Sequence, residues 1–276
     1  MILKLNLFAK EVLLFGATLL IGVFSAYNYT PLIEKSIIEP PAFSWNSLVI
    51  FFVFLVILML VVRKFRALNA VVLKLFLILV VFSGTQIVVG SIISSPWDLL
   101  WALAVAGIFM LVHNVLVHDI SIMLGIAGVS SLLGITISPQ YAVVLLVILS
   151  FYDILAVYWT KHMISLAKGM IESGAIFGFV VPFNTRDFLY HKSHAKDQLG
   201  DKFMILGSGD VGLPLILASS LAVVSIGQAL FVSLFALGGV FLTHLIFINQ
   251  TSRKPMAALP PIATMTIIGY LVSQFL

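Results

Sequence analysis

Apolar stretches recur along nearly the whole of this 276-residue chain, of which 61% is hydrophobic and only 9% is charged. A helix needs about 20 mostly apolar residues to cross the hydrocarbon core of a bilayer. A soluble domain of this size cannot bury so much apolar surface, whereas a bundle surrounded by lipid need not. Nine windows approach the spanning length: 8–27, 46–62, 69–90, 97–112, 117–134, 140–160, 203–224, 227–248 and 256–275. The sequence therefore predicts an all-α, multi-pass integral membrane protein with nine transmembrane helices.

The basic residues predict how these helices are oriented. With the N-terminus placed in the cytoplasm, fourteen of the 15 Lys and Arg residues fall on the inner side, and only Lys35 falls outside. Such an asymmetry is typical of cell-membrane proteins that follow the positive-inside rule. An odd number of spans then places the C-terminus outside. Lys4 and Lys10 precede a long apolar run without a convincing cleavage site, so we expect a first transmembrane helix rather than a signal peptide.

The chain is expected to form one transmembrane domain over residues 1–276. Helices 1–6 occupy 1–160, a cytoplasmic loop occupies 161–202, and helices 7–9 occupy 203–276. Within the loop, residues 171–183 are apolar but too few to span a bilayer. Two interpretations remain open for this segment: a re-entrant segment or lid over a site, and a surface helix lying on lipid.

Two aspartates, Asp153 and Asp210, lie inside the sixth and seventh predicted spans. Placing an ionisable side chain in hydrocarbon costs about 3 kcal/mol even on lenient insertion scales, so such a residue indicates function. Asp153 precedes the inner end of its span by eight residues, and Asp210 follows the inner start of its own by seven. With a helical rise of about 1.5 Å per residue, both carboxyls are expected about 10–12 Å below the cytoplasmic surface.

Two carboxyls at one depth favour a particular chemistry. Like charges that face each other in a medium of low dielectric constant titrate as a unit that holds one proton. One member then deprotonates a water and the other protonates a carbonyl oxygen, as in aspartic proteases. Hydrolysis of peptide bonds is the leading hypothesis. A proton- or cation-coupled transporter, or a leak channel, using the same aspartates is the alternative, although no clear internal repeat supports a transporter.

Glycines and prolines flank these positions. Gly207 and Gly209 precede Asp210, and because they lack side chains they allow another backbone to approach closely. Ordinary small-residue helix packing is the alternative explanation for these glycines. The last span begins with three prolines within seven residues, and non-helical backbone at membrane depth is tolerated only against protein or a water-filled cavity. Pro255, Pro260 and Pro261 are therefore expected to line the same cavity as the aspartates.

Three motifs occur in order along the chain: Tyr152-Asp153 in the sixth span, Gly207-Ser208-Gly209-Asp210 in the seventh, and Ala258-Leu259-Pro260 at the start of the ninth. Together they resemble the presenilin and signal peptide peptidase family, the GxGD intramembrane aspartyl proteases. The resemblance covers the whole chain, and its short loops resemble those of archaeal presenilin homologues. It implies an endopeptidase without metal or organic cofactor, in which Asp153 and Asp210 are the catalytic pair.

The resemblance also implies how substrate is bound. Residues expected to bind substrate or shape the site are Tyr152, Gly207, Ser208, Gly209, Ala257, Ala258, Leu259 and Pro260. Ala257 departs from the family pattern, which has proline at this position of its PAL motif. In the family the substrate helix unwinds and pairs with a strand just before GxGD, and residues 202–206 stand in the matching place.

The expected partners are transmembrane substrates and the lipid bilayer. The predicted cytoplasmic position of loop 161–202 resembles presenilins, which implies single-span substrates with an outside N-terminus. Nucleic acid is not expected, because the net charge of +4 is small and scattered. The oligomeric state is left open.

Other polar residues and glycines have simpler interpretations. His244 is expected to be a buried histidine bonded to a neighbouring helix. Asp98 and Asp119, near span ends, are expected to face water or a neighbouring cation. Gly125 and Gly128 lie on one helix face and predict close helix packing.

Overall fold

The computed structural model describes residues 4–34, 46, 49, 50, 53, 69–160, 169–171, 173–191, 202–250 and 255–275. In these residues the protein is a helical bundle with a two-stranded sheet. The eight helices and two strands are α1 (Leu5–Glu34), α2 (Asn69–Gly90), α3 (Trp97–Leu111), α4 (Val115–Thr136), α5 (Pro139–Ile154), β1 (Gly178–Pro182), β2 (Phe203–Gly207), α6 (Ser208–Ala222), α7 (Ile226–Ile248) and α8 (Leu259–Ser273).

Seven of the predicted spans coincide with single helices, the seventh contains a strand and a helix, and the second, 46–62, lies mostly outside the described residues. Among the described residues, five helices are long and apolar enough to cross a membrane: α1, α2, α4, α7, and α5 together with the π-helical turn Leu155–Trp159 that continues it. Helices α3, α6 and α8 are shorter. The chain is thus mostly helical and polytopic, as the sequence predicts. The number of nine helices and their orientation stay predictions.

The seventh predicted span, 203–224, is not one helix. Its first five residues form β2, and α6 begins only at Ser208. Gly207 adopts an extended conformation, with φ −63° and ψ 143°, and is the N-cap of α6. The 15 residues of α6 are about 22 Å long, too short to cross a bilayer alone. Pairing with β1 satisfies part of the strand's backbone in place of helical hydrogen bonds.

The interior of the bundle holds small and hydroxyl-bearing residues beside its apolar core, while many other large apolar side chains are exposed. Leu75 and Leu79 on α2 are exposed, for example, whereas Thr85 on the same helix is buried. Helices that pack within lipid typically show this distribution, because lipid solvates apolar side chains as well as protein does. Buried serines on α4 and α6 are Ser121, Ser130, Ser131, Ser219 and Ser220.

Helices α2 and α4 make backbone contact through glycines. A Cβ atom added at Gly128 would overlap the carbonyl oxygen of Gly84, and one added at Gly84 would overlap the backbone of Gly125. The prediction that Gly125 and Gly128 serve helix packing is confirmed. Because the contact is between backbones, no side-chain rotation can relieve an added methyl group.

The expectation for His244 is also confirmed. Its Nδ1 on α7 lies 3.0 Å from Oε2 of Glu11 on α1, and both side chains are buried. The sequence analysis did not identify Glu11 as the partner. The pair connects the first helix to the helix that precedes α8.

The glycine contact gives a direct test of the packing. Gly128→Ala should lower the free energy of unfolding by about 1–3 kcal/mol, because the added methyl group separates α2 from α4. Gly107→Ala on α3 is the matched control, since a Cβ atom there meets nothing within 4 Å. Unfolding of the purified variants in detergent measures both. Equal stabilities would contradict the contact.

Candidate active site

Asp153 lies near the end of α5, one residue before the α-helix ends and a π-helical turn begins. The α-helix ends at Ile154, and a π-helical turn follows over Leu155–Trp159. Such turns are frequent at functional sites. Asp153 is only 7% exposed, and its Oδ2 accepts a hydrogen bond from the backbone N–H of Leu259, at 3.3 Å.

The prolines of α8 explain why Leu259 is the donor. The first N–H groups of a helix have no partner within the helix. Leu259 begins α8, and the next two residues, Pro260 and Pro261, have no N–H group. The positive end of the helix dipole lies there as well. The start of α8 therefore offers a carboxylate both a free backbone donor and a favourable field.

Asp210 lies in the first turn of α6, directly against the end of β2. Its carboxylate hydrogen-bonds the backbone of Gly207. A Cβ atom at position 207 would lie 2.9 Å from Oδ2 of Asp210, too close for the present arrangement. A Cβ atom at Gly209 would meet nothing within 4 Å, and this residue is exposed. The first glycine therefore permits the carboxylate contact, whereas the second leaves open space beside it.

The two carboxylates belong to one site. Helix α5 packs against both α6 and α8, and the charge of Asp153 acts directly on partly buried Asp210. The structure thus brings together Asp153, Asp210 and Leu259, three of the residues selected from the sequence. Two carboxyls in electrostatic contact can share one proton and act as a general acid and base.

The residues just before α8 are held by α7. Ala257 is buried, Ala258 is partly buried, and the carbonyl oxygen of Ala258 accepts from Oγ1 of Thr243 at 3.4 Å. Leu259 is buried and Pro260 is partly buried. The segment thus has two described attachments, one to α7 and one to Asp153.

The remaining predicted site residues differ in their surroundings. Tyr152 is 46% exposed, so its ring does not share the burial of Asp153. Ser208 is partly buried, and its backbone N–H donates to the carbonyl oxygen of Phe177 at 3.3 Å. Ser208 therefore attaches the start of α6 to the segment before β1.

The described residues within 171–183 are buried or partly buried in the protein rather than exposed on a lipid surface. Residues 178–182 form β1, all five of them buried, and pair antiparallel with β2 in a register that runs from Gly178↔Gly207 to Pro182↔Phe203. A Cβ atom at Gly178 would overlap the carbonyl oxygen of Leu206. The interpretation as a surface helix is wrong for this part of the segment. An apolar run of this length does not distinguish a buried strand from a helix by its pattern.

The pairing fixes which edge of the sheet is open. Phe183 N–H donates to the Lys202 carbonyl, as Ser208 does to Phe177 at the other end. Because hydrogen-bonded pairs alternate in an antiparallel sheet, residues 203, 205 and 207 direct their N–H and C=O groups away from β1. The carboxylate of Asp210 binds Gly207 and therefore lies on the outer side of β2.

Three polar side chains lie along the other edge, that of β1, and the sequence analysis did not assign them there. His118 Nε2 is 3.1 Å from the Gly178 carbonyl oxygen, Asp119 Oδ1 accepts from Val180 N–H at 2.8 Å, and Lys10 Nζ donates to the Pro182 and Phe183 carbonyls, both at 2.9 Å. Asp119 does not face water, because it is completely buried. The available signal was that His118-Asp119 and Lys10-Glu11 are polar pairs within otherwise apolar helices.

In the part of the chain that the structure describes, no three His, Asp or Glu side chains come together as a metal site would require.

Comparison with known proteins agrees with this geometry. The family model described as signal-peptide peptidase, presenilin aspartyl protease matches residues 67–276. Two solved structures, each described as that of a presenilin family intramembrane aspartate protease, are similar over almost the whole chain. The one in space group C222 is 24% identical, with 94% of both chains covered and a TM-score of 0.62. The one in space group P2 is 25% identical, with 95% of this chain and 96% of that chain covered and a TM-score of 0.62. No protein with a curated description matches.

A disulfide would test the register of the sheet. The chain has no cysteine, so introduced thiols react without competition. Val180 and Ile205 form a non-hydrogen-bonded pair, in which Cα atoms are about 4.5 Å apart, within the range of a disulfide. Val180→Cys/Ile205→Cys should cross-link under mild oxidation. Val180→Cys/Phe203→Cys, two residues out of register, should not, and mass spectrometry of the digested protein distinguishes the two. Preferential linkage of the second pair would contradict the register.

Proposed function

Because this chain belongs to the signal-peptide peptidase and presenilin family of aspartyl proteases, and is an intramembrane-cleaving aspartic endopeptidase, we propose that Asp153 and Asp210 are its catalytic pair. The observation that carries this proposal is that both carboxylates lie at one site, on adjacent helices of an apolar bundle, within range of electrostatic interaction. Either carboxylate alone in such surroundings would be unfavourable, and function is the usual reason to retain it.

The proposed reaction uses the pair as one acid and base. The two carboxyls hold one proton between them. The ionised member takes a proton from a water, whose oxygen attacks the peptide carbonyl carbon, while the protonated member gives its proton to the carbonyl oxygen. When the C–N bond breaks, the pair gives its proton to the leaving nitrogen and takes one back from a hydroxyl group of the tetrahedral intermediate as the carbonyl re-forms. No metal or organic cofactor enters this scheme.

Two backbone donors support this role for the pair. Leu259 N–H donates to Asp153, and Gly207 bonds the carboxylate of Asp210. Hydrogen bonds of this kind fix the orientation of each carboxylate and compensate part of the loss of water. Each comes from the end of an interrupted element, so neither donor is needed by a helix.

Substrate is proposed to bind as an extended strand along the outer edge of β2. An intact helix keeps its peptide N–H and C=O groups in internal bonds, so a transmembrane substrate must unwind before hydrolysis. Residues 203 and 205 direct their backbone N–H and C=O groups outward, where an added strand can bind them, whereas the Gly207 backbone already bonds Asp210. Since Asp210 lies on that side of β2, a strand bound there is led to the carboxylates. Gly209 and the segment Ala257–Pro260 are proposed to border the bound peptide.

The proposed substrates are single-span membrane proteins with an outside N-terminus. This proposal requires a cytoplasmic N-terminus, an outside C-terminus and a location in the cell membrane. The basic residues support that orientation. So does the position of Lys4 Nζ, 5.4 Å from the centre of the Phe183 ring, because it places the start of α1 beside the predicted cytoplasmic loop. The transporter or leak-channel alternative receives no support from the family or the similar structures.

Substitution of each aspartate tests the proposed pair. Asp153→Asn and Asp210→Asn retain the shape of the side chain but cannot act as base. Each should lower cleavage of a labelled single-span peptide by purified protein in detergent by about 1,000-fold or more. Asp98→Asn, on α3 and outside the site, is the matched control and should cleave normally. Equal cleavage by all variants would indicate a contaminating protease and overturn the proposal. A parent inactive on several such peptides but conducting ions in liposomes would favour transport.

Gly207→Ala tests the contact beneath Asp210. The added methyl group would displace the carboxylate, so kcat should fall about 10- to 100-fold. Folding should be retained, because the nearest atoms belong to a side chain that can rotate. Gly107→Ala adds a methyl group in open space and is the control. An unchanged kcat for Gly207→Ala would show that this contact does not position Asp210.

A further inference from the structure

On the edge of β1 that faces away from β2, residues 178, 180 and 182 direct their backbone groups outward, and a side chain bonds each of these residues. Gly178 C=O, Val180 N–H and Pro182 C=O are bonded by His118, Asp119 and Lys10 respectively. We call these three side chains the β1 clamp. His118 and Asp119 come from α4 and Lys10 comes from α1, so two helices hold one strand.

The clamp satisfies buried polar groups. His118 is 2% exposed, Asp119 is 0% exposed and Lys10 is 9% exposed. Buried polar groups destabilise a protein unless they are paired. Each member of the clamp and the strand atom it binds therefore stabilise each other. The ring of His118 also stacks on Phe109, with centroids 5.8 Å apart, which fixes its orientation.

In the described part of the chain, the clamp leaves the sheet with one edge for a new strand. A peptide strand needs N–H and C=O groups in register along the edge that it joins. On β1 three of those groups are already bonded, and Pro182 has no N–H to offer. On β2 the outward groups lie on the side of Asp210. Growth of the sheet is thereby directed to the catalytic side.

The clamp also constrains the position of the outer edge of β2. β1 and β2 are joined in one register, so a constraint on β1 is transmitted to β2. β2 runs directly into α6, so it cannot slide past Asp210. A sheet that is not held from its other edge could instead tilt against α5 and α6, and a bound strand would then present different peptide bonds to the carboxylates.

We propose that His118, Asp119 and Lys10 are positioning residues that hold the sheet from its closed edge and so determine which peptide bond of the substrate meets Asp153 and Asp210. This rests on the function proposed above. These residues touch neither the reacting atoms nor the substrate strand. Their effect is on the precision of cleavage and on the binding of the extended peptide.

Paired variants of Asp119 separate this role from a general loss of stability. Asp119→Leu removes the acceptor for Val180 N–H, whereas Asp119→Asn retains an acceptor oxygen at the same place. Asp119→Leu should raise KM about three- to tenfold, the usual effect of one lost hydrogen bond. It should also spread the products over neighbouring peptide bonds. Asp119→Asn should retain the parent KM and product pattern. Mass spectrometry of the fragments and initial rates in detergent measure both effects.

Variants of His118 provide a second test if Asp119→Leu does not fold. His118→Phe keeps a ring against Phe109 but loses the group that bonds Gly178, and it should broaden the products in the same way. His118→Gln retains a donor and should cleave as the parent does. A single unchanged product and an unchanged KM in both Asp119→Leu and His118→Phe would overturn the proposal. So would a lower kcat alone, because that is the effect of a merely structural residue.

Hydrogen exchange tests the clamp without requiring cleavage. In Asp119→Leu the amides of residues 203–207 should exchange about three- to tenfold faster than in Asp119→Asn, although none of them bonds Asp119. Faster exchange at Val180 alone would show that the constraint does not reach β2, and the proposal would fail. Absence of cleavage by the parent would instead count against the proposed function, while the exchange result would still decide whether the clamp holds the sheet.

Discussion

Backbone polar groups inside a membrane must find partners within the protein, and this constraint organises the structure around β2. A strand within a bilayer-spanning path cannot satisfy its own N–H and C=O groups as a helix does. β2 therefore needs β1, and β1 in turn needs partners on its other edge, which α1 and α4 supply through Lys10, His118 and Asp119. The helices thus bond the outer edge of β1, and β1 bonds β2. The outer edge of β2, which lies beside Asp210, is where an added strand can bind.

The site itself is formed at interruptions of regular structure. α5 changes to a π-helical turn just after Asp153, α6 begins only after a strand, and α8 begins with two residues that lack an N–H group. Each interruption releases a backbone group from helical bonding, and two of those groups bind the carboxylates: Leu259 N–H binds Asp153, and Gly207 binds Asp210. Glycine and proline at these positions therefore contribute to the chemistry through the backbone conformation that they impose.

The sequence predicted those features that depend on composition and on rare residues. Long apolar windows identify helices, and a carboxyl within such a window is conspicuous, so α5, α6 and the two aspartates could be predicted from the sequence. The β1–β2 sheet could not be predicted, because residues 171–183 form a short apolar run whose pattern fits a strand or a buried helix equally well. Asp119 was expected to face water or a neighbouring cation, because a window shows where a helix ends but not which face of it is buried. Lys10 was counted as a charge that orients the chain, yet it is a buried donor to β1.

An open strand edge beside a fixed carboxyl pair also determines how the proposed enzyme would choose among substrates. The edge of β2 binds backbone, which every peptide possesses, so side-chain pockets need supply little of the affinity. What differs between transmembrane helices is the free energy required to unwind them, which glycine and β-branched residues lower relative to leucine or alanine. Discrimination then depends on the ease of local unwinding and on the register in which the released strand joins β2. In this scheme the constraint on β1 contributes to selectivity although it lies on the side of the sheet away from the substrate.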